Sequence, residues 1–283
     1  MNEIKIICDS LSDIPDSYLE KYDIDMLPLY IYMNGEEYRD RVTISLDEFY
    51  KRIREEKIVP KTSQITYGDF YECFDKYTKQ GKSILYISVA SQATGTYERA
   101  IMAKNDIVGG NIRVIDSGTL CFAVGLLILK AAEFRELGMS LDQIVDEIEI
   151  LKNNVYGTFS CDDLEYLSQG GRISSRRAVI GTVLGIKPLC VIKDGIVDNQ
   201  GMARGKRNVA VKLVELAQEN GVRDLSNQTV FLGTTDDFAE RDRLEKEIIK
   251  TLKPKNIEYF RIGCGIGTHG GPGTTGFICF KSE

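Results

Sequence analysis

The chain has 283 residues, of which 43% are hydrophobic and 28% charged, and its 36 basic and 42 acidic side chains give a formal net charge of −6. These values are typical of a globular protein, and the length suits one large domain or two smaller ones. The acidic balance excludes a general electrostatic attraction to nucleic acid or to an anionic membrane surface.

The amino-terminal and apolar segments predict a protein that stays in the cytoplasm. The first ten residues, MNEIKIICDS, carry charges at positions 3 and 5 and lack the continuous apolar core of a secretory signal. The apolar run 118–129 has 12 residues, and the 19 uncharged residues 262–280 include seven glycines, so neither has the pattern of a membrane helix. We expect no stable membrane insertion, and membrane contact that is at most transient.

Seven cysteines are spread along the chain, with no two closer than 15 residues. This spacing excludes a C-x-x-C redox or zinc motif, and the apolar surroundings of most of them favour small buried side chains. Because His269 is the only histidine, a metal site would need nearly all of its ligands from carboxylates and thiols. We therefore predict no metal site and no cofactor.

Strand-like and helical segments alternate along the first half of the chain. The strand patterns fall at 4–8, 26–33, 83–88 and 112–116, and the helical patterns at 46–56, 67–79, 95–106 and 119–137. Strands that alternate with helices are typical of a mostly parallel sheet with helices on both faces. We predict such an α/β domain over residues 1–157.

The pattern changes after residue 157. Residues 188–200 predict a hairpin that turns at Asp194–Gly195, followed by short strands at 228–235, 257–263 and 274–281 and by helices at 206–219 and 238–251. This mixture predicts a second α/β domain with a mainly antiparallel sheet over residues 158–283. The predicted fold class is therefore α/β in two domains.

Four segments place hydroxyls, glycines or an arginine at the positions where open α/β sheets build their sites. They are CDSLSD at 8–13, PKTSQIT at 60–66, SQATGTYERA at 91–100 and LSQGGRIS at 167–174. Thr94, Gly95 and Thr96 open a predicted helix and suit an anion, and Arg172 is able to reach a carboxylate or phosphate. Each segment also has a structural explanation as a helix cap or turn. Together they favour an anion site built mainly from neutral donors.

The segment GIGTHGGPGTTG at 265–276 contains six glycines and the single histidine. Its first glycines match the dinucleotide fingerprint G-x-G-x-x-G, but Pro272 interrupts any helix that starts there, so we do not predict a nicotinamide site. We expect a glycine-rich loop that lets the backbone approach a head group, with the His269 N–H donating to a carboxyl oxygen. The alternatives are a mobile turn with a solvated histidine, and serine–histidine catalysis, for which no orienting carboxylate is evident.

These motifs together resemble the DegV family of bacterial fatty-acid-binding proteins. The resemblance rests on CDSLSD, PKTSQIT, ATGTYERA, VIDSGT, LEYLSQGGRIS, GIKPL and GIGTHGGPGTTG, which occur in this order along nearly the whole chain. It implies that one long-chain fatty acid is held with its tail in an apolar tunnel and its carboxyl group between the two domains. It also implies that the chain is the lipid-carrying subunit of a fatty-acid kinase, whose partner subunit supplies the ATP site. The chain itself would then be no enzyme.

The resemblance assigns roles to particular residues. Thr62 and Thr94 match the family's carboxyl-binding positions, and His269 matches its loop histidine. Three further residues would support the carboxyl site: Ser63, Gly95 and Arg172.

Two positions depart from the family pattern. Ile65 stands where the family usually has proline, which affects the rigidity of the loop. Ala90 stands where a second serine is common, which removes a minor hydrogen bond.

Arg204, Lys206 and Arg207, in the segment MARGKRN, form the densest basic cluster, between the predicted hairpin and the helix at 206–219. Basic side chains are electrostatically unfavourable at a helix N-terminus, so this cluster is a candidate docking face for the partner kinase, with a solvated helix start as the alternative. The chain as a whole has a second interpretation, as an enzyme of small-molecule phosphate or acyl metabolism that uses the same pocket.

Overall fold

The computed structural model describes residues 3–162, 164–174 and 185–282. Within these ranges the strands are β1 (Ile4–Asp9), β2 (Ile24–Leu27), β3 (Tyr30–Met33), β4 (Glu36–Arg39), β5 (Lys61–Ser63), β6 (Ser83–Ser88), β7 (Ile112–Asp116), β8 (Val155–Ser160), β9 (Ile186–Lys193), β10 (Ile196–Arg204), β11 (Thr229–Thr234), β12 (Asn256–Arg261) and β13 (Thr275–Phe280). The helices are α1 (Asp16–Lys21), α2 (Leu46–Glu56), α3 (Tyr67–Lys79), α4 (Thr96–Asp106), α5 (Phe122–Glu136), α6 (Leu141–Leu151), α7 (Glu165–Gln169), α8 (Val209–Glu219), α9 (Phe238–Leu252) and α10 (Cys264–Gly270).

The first sheet is parallel, in the order β2-β1-β6-β7. All six residues of β6 are buried, as expected for a central strand covered on both faces. The helices that pack against this sheet include α3, α4, α5 and α6. The predicted parallel sheet flanked by helices is confirmed.

The second sheet has the order β10-β9-β8-β13-β11-β12, and every neighbouring pair is antiparallel except β11 with β12. The predicted hairpin is present, because Asp194 and Gly195 join β9 to β10 with φ values of 51° and 75°, as a type I′ turn requires. Helices α8 and α9 cover one face of the sheet. The predicted second unit with a mainly antiparallel sheet is therefore confirmed as a fold class.

Helix α5 lies between these two sheets. It packs against β1 and β6 of the first sheet and against β8 and β13 of the second. Phe122, at its first turn, stacks on Phe260 at 4.7 Å and on Phe231 at 4.6 Å between ring centroids. The apolar run at 118–129 is thus explained by burial on several sides within the protein.

The prediction of one strand over residues 26–33 is wrong. Pro28 has no N–H for a sheet ladder, and Leu29 N–H is bonded to the Ser10 hydroxyl at 3.1 Å instead. The segment therefore divides into β2 in the parallel sheet and β3 in a third, antiparallel sheet of order β4-β3-β5, which the sequence pattern did not predict.

The prediction that residues 265–276 form a loop is wrong over its first half, which is helix α10. Pro272 does not prevent this helix, because it lies beyond the helix end, where Gly271 turns the chain with a φ of 74°. The segment is still no dinucleotide unit, since the following strand β13 runs antiparallel to β11 and does not complete a parallel βαβ crossover.

The predicted division into 1–157 and 158–283 stays a prediction, and position 157 lies inside β8. In the part of the chain that the structure describes, no helix combines the length and apolar character needed to cross a bilayer. The same ranges contain no group of three or more His, Cys, Asp or Glu side chains placed to hold a metal ion.

Candidate functional site

A cavity of about 330 Å³ lies between the parallel sheet and the second sheet. One side is formed by segments that follow the carboxyl ends of β1, β6 and β7, where open α/β sheets bind ligands. The other side is formed by β8 to β13 together with helices α7 and α10. Its size is that of a small-molecule site.

The structure brings six of the predicted site residues to this one cavity. They come from four separate parts of the chain: Thr62, Ser63, Thr94, Gly95, Arg172 and His269. The predicted docking residues lie elsewhere, exposed at the end of β10 and in the turn that precedes α8.

His269 lies in the last turn of α10 and contacts Thr62, which β5 supplies. The Nε2 atom is 3.2 Å from the Thr62 hydroxyl oxygen. The Nδ1 atom is buried and has no hydrogen-bond partner among the described residues. Gly170 packs on this side of the ring, since a Cβ there would lie 2.2 Å from Nδ1. The imidazole is therefore fixed between β5 and the chain that leads to Arg172.

The imidazole of His269 is neutral at pH 7. Burial, and next the positive charge of Arg172, lower the pKa of His269 from 6.5 to about 4. A neutral ring has one N–H donor and one acceptor nitrogen, so it offers a single hydrogen bond of each kind.

The guanidinium of Arg172 is held by backbone carbonyls. Nε donates to the Ala93 carbonyl at 3.1 Å, and Nη1 donates to the Gly170 carbonyl. No ion pair involves Arg172 within residues 3–162, 164–174 and 185–282. Among the described residues, therefore, no carboxylate balances its charge, and they occupy only two of its five N–H donors.

Gln64 is a cavity residue that the sequence analysis quoted in a motif but gave no role. With its amide oriented to satisfy both neighbours, it donates to the Gly95 carbonyl at 3.2 Å and accepts from Arg99 Nε at 2.9 Å. A Cβ at Gly95 would lie 2.0 Å from this amide. Glycine at 95 therefore leaves room for the Gln64 side chain, which joins the two loops that carry Thr62 and Thr94.

Thr94 precedes α4, where its hydroxyl lies 2.9 Å from the Thr96 hydroxyl and accepts from Thr96 N–H at 3.3 Å.

The two positions that depart from the family pattern directly follow cavity-lining residues in the sequence. Ile65 and Ala90 are both buried, and Ala90 packs beneath Gly195 at the tip of the β9–β10 hairpin.

The remaining wall of the cavity is mainly apolar, with Thr158 and Thr274 as its hydroxyl residues. Gly233 and Gly276 face each other in register across β11 and β13. A Cβ at Gly233 would lie 2.1 Å from the Phe260 ring, and one at Gly276 would lie 2.5 Å from the Phe159 Cβ. Phe260 in β12 and Phe159 in β8 are the strand neighbours of these glycines, which leave room for their close approach. Other apolar lining residues are Leu11, Leu29, Val89, Leu120, Ile192, Val197, Ile262, Ile266, Phe277 and Ile278.

The first two glycines of α10 allow close packing of the helix, a role that we did not predict. A Cβ at Gly265 would lie 2.6 Å from Leu11, and one at Gly267 would lie 2.1 Å from the Tyr50 hydroxyl. These two positions therefore let the helix pack closely against Leu11 and Tyr50. Gly270, the third glycine of the helix, lines the cavity, and the expected approach of this segment to a head group stays a prediction.

Three carboxyl groups near this helix are fully buried: those of Asp9, Asp13 and Asp40. Burial raises the pKa of Asp9 to about 6 and the pKa of Asp13 to about 8, and it also raises the pKa of Asp40 above its ordinary value of 3.8. Apart from the motif CDSLSD, which contains Asp9 and Asp13, no sequence pattern indicated this cluster.

Comparisons with known proteins agree with this architecture. The model of the DegV family of uncharacterised proteins matches residues 3–282. A DegV domain-containing protein from Clostridium perfringens is 34% identical over 274 residues, covering 96% of this chain and 96% of that protein. The structure of a DegV lipid-binding protein from Thermotoga maritima matches with a TM-score of 0.90 at 29% identity, over 99% of this chain and 100% of that one. A stearic-acid-binding protein from Eubacterium ventriosum matches with a TM-score of 0.87 at 29% identity, over 99% and 98% of the two chains.

We call the part of the cavity lining formed by Thr62, Ser63, Thr94, Gly95, Arg172 and His269 the polar wall. A titration of His269 tests its electrostatics. We expect His269 to titrate near pH 4 in the ligand-free protein, and Arg172→Gln to raise the pKa of His269 without restoring 6.5, because burial is the larger cause. Imidazole chemical shifts in NMR spectra report this directly, since the chain has one histidine. The control is Arg204→Gln, at an arginine outside the cavity, which should leave the titration unchanged. A wild-type pKa near 6.5 would contradict the burial of this ring.

The buried carboxyl groups predict a pH dependence of stability. Asp13 keeps its proton up to about pH 8 in the folded chain but loses it near 3.8 in the unfolded chain, so the free energy of unfolding falls as pH rises. His269 acts in the opposite direction, but only below 6.5. Between pH 6.5 and 8 we expect a loss of about 1 kcal/mol per pH unit from Asp13.

Urea unfolding at several pH values measures this slope. Asp13→Asn should flatten it, whereas Asp236→Asn should not, because the pKa of Asp236 is lowered and it does not titrate in this window. Equal slopes for the wild type and Asp13→Asn would show that Asp13 is ionised in the folded protein.

Proposed function

The chain belongs to the DegV family, and from this premise we propose that it binds one long-chain fatty acid in the cytoplasm and presents it to a separate ATP-dependent kinase. The observation that carries the proposal is a cavity with one polar wall and an otherwise mainly apolar lining. Relatives of similar fold are described as lipid-binding and as stearic-acid-binding, which agrees with such a ligand.

The carboxyl group would bind at Thr62, Thr94 and His269. The Thr94 hydroxyl is one donor, and the Thr62 hydroxyl and the imidazole N–H become donors to the carboxyl group when it replaces the hydrogen bond between them. Arg172 supplies a positive charge that no carboxylate in the described structure balances. Because His269 is neutral at pH 7, the wall carries one net positive charge, which matches a monoanionic carboxylate better than a multiply charged phosphate. Ser63 and Gly95 would complete this wall.

The tail would supply most of the affinity. Burial of about 15 methylenes at about 0.8 kcal/mol each gives on the order of 12 kcal/mol before the loss of ligand freedom is subtracted. The polar wall then has to set the orientation and to avoid leaving a buried carboxyl group unpaired.

Phosphorylation of the acyl group would be the work of the partner kinase, with no chemistry by this chain alone. Arg204, Lys206 and Arg207 are all exposed and would form the docking face. Lys206 is paired with Asp237 at 2.7 Å, so most of the unbalanced charge of the cluster comes from the two arginines. An exposed Met202 on the same edge strand would add apolar contact beside Arg204.

Removal of one hydroxyl from the polar wall should weaken fatty-acid binding. We expect Thr62→Val and Thr94→Val each to cost about 0.5–1.5 kcal/mol of binding free energy, because each removes one donor to the carboxyl group. Titration of the delipidated protein with palmitate measures the change. Thr158→Val is the matched control, since Thr158 also lines the cavity but its hydroxyl is bonded to the Cys190 carbonyl at 2.8 Å.

If Thr62→Val and Thr94→Val bind palmitate as the wild type does, the carboxyl group lies elsewhere. Mass spectrometry of the protein as purified tests the ligand class itself. A co-purifying nucleotide or sugar phosphate would favour the enzyme interpretation over the carrier.

The carrier role predicts that the isolated chain neither hydrolyses ATP nor phosphorylates its lipid, and that the cognate kinase forms acyl phosphate from it. Arg204→Ala should lower the rate at limiting carrier concentration and leave lipid occupancy unchanged, because a rim charge acts on association. Added salt should have the same effect on the wild type. Arg223→Ala removes an exposed arginine outside the cluster and serves as the control. ATP turnover by the chain alone would refute the carrier role.

A further inference from the structure

Helix α10 cannot depend on its own residues for its position. It has only seven residues, three of them glycine, and glycine disfavours helix formation. Its N-cap is Gly263, which has no side chain to cap the first N–H groups. The position of His269 in its last turn therefore depends on contacts from elsewhere in the chain.

Two buried carboxyl groups supply those contacts. Asp40 accepts from Cys264 N–H at 3.3 Å with Oδ1 and from Gly265 N–H at 3.1 Å with Oδ2. Asp13 accepts from Gly263 N–H at 2.9 Å. Residues more than 220 positions away in the sequence thus satisfy the first three N–H groups of this helix segment.

The chain that enters α10 is fixed as well. The Tyr50 hydroxyl donates to the Ile262 carbonyl at 2.8 Å and lies 3.3 Å from the Gly263 carbonyl. The same hydroxyl occupies the space where Gly267 lacks a side chain. The helix is therefore held at its start and along the side that faces Tyr50.

A small movement of this helix would also move His269. From Gly265 to His269 the helix rises about 6 Å. A tilt at the start of the helix acts over this length and therefore displaces the imidazole. The His269–Thr62 distance of 3.2 Å is already at the long end of hydrogen-bond geometry. Displacement by a few tenths of an ångström would weaken it.

We propose that Asp40, assisted by Asp13, is a positioning residue for the carboxyl site, because it fixes helix α10 and through it the imidazole of His269. The inference rests on the proposed function for its consequence in binding, but the position of His269 is measurable without any ligand.

The test compares Asp40→Asn with Asp9→Asn. Each carboxyl oxygen of Asp9 accepts one hydrogen bond, and each oxygen of Asp40 accepts one from a backbone N–H, with further side-chain bonds from Ser10 and Cys264. An amide, with one oxygen, loses at least one acceptor in either case. Asp9 bonds Leu11 N–H and the Tyr86 hydroxyl and not α10. The two variants therefore disturb similar buried groups and differ in the contact to the helix.

The first measurement is the imidazole spectrum of the ligand-free protein. We expect Asp40→Asn to shift the His269 ring resonances and to move its pKa from about 4 toward 6.5, whereas Asp9→Asn leaves both as in the wild type. The second is binding of palmitate labelled with ¹³C at the carboxyl carbon. We expect about tenfold weaker binding by Asp40→Asn, with a shifted carboxyl resonance.

An unchanged His269 spectrum in Asp40→Asn, or an equal change in Asp9→Asn, would overturn the proposal. If Asp40→Asn does not fold, Tyr50→Phe carries the test, because it removes the hydroxyl at the helix entry and should shift His269 in the same way. Failure of the wild type to bind palmitate would refute the proposed function, and the ligand-free spectra would still decide whether Asp40 positions His269.

Discussion

The packing of a glycine-rich helix against buried carboxyl groups determines the polar wall of the cavity. Gly265 and Gly267 leave room for Leu11 and Tyr50, and Asp40 accepts from two N–H groups at the helix start. With larger side chains at the two glycines the helix could not approach these partners. The contacts of His269 with Thr62 and with Gly170 follow from that approach, so residues distant in the sequence fix this part of the site.

The sequence predicted the parts of the fold that follow from local pattern. The spacing of apolar residues gave the limits of α2 and α3, and the pair Asp194–Gly195 gave the hairpin, because both features act between residues close in the chain. The pattern failed at residues 26–33, where Pro28 and a bond to Ser10 divide one apolar run between two sheets. It also failed at α10, whose stability comes from distant carboxyl groups and not from its own residues.

The candidate site was also predictable only in part, namely in its polar residues. Six polar or glycine residues were identifiable from motifs, and they meet in one cavity. The apolar wall was not identifiable, since residues such as Val89, Phe159 and Ile278 come from different strands and share no local pattern. Gln64 belongs to the motif PKTSQIT, which the sequence analysis identified. Its hydrogen bond to the Gly95 carbonyl was not predictable, because only the tertiary structure brings the two loops together.

The position of α5 between the two large sheets restricts the motions by which the cavity could open. A hinge motion that parted the two large sheets would separate Phe122 from Phe231 and Phe260 and expose the rings, at a cost of about 1.5–3 kcal/mol for each. In the polar wall, Arg172 is held by two hydrogen bonds, to the Ala93 and Gly170 carbonyls, and α10 is held by Asp13, Asp40 and Tyr50. Because parting the sheets would cost this aromatic packing, we expect the two sheets to stay joined whenever the cavity is filled or emptied.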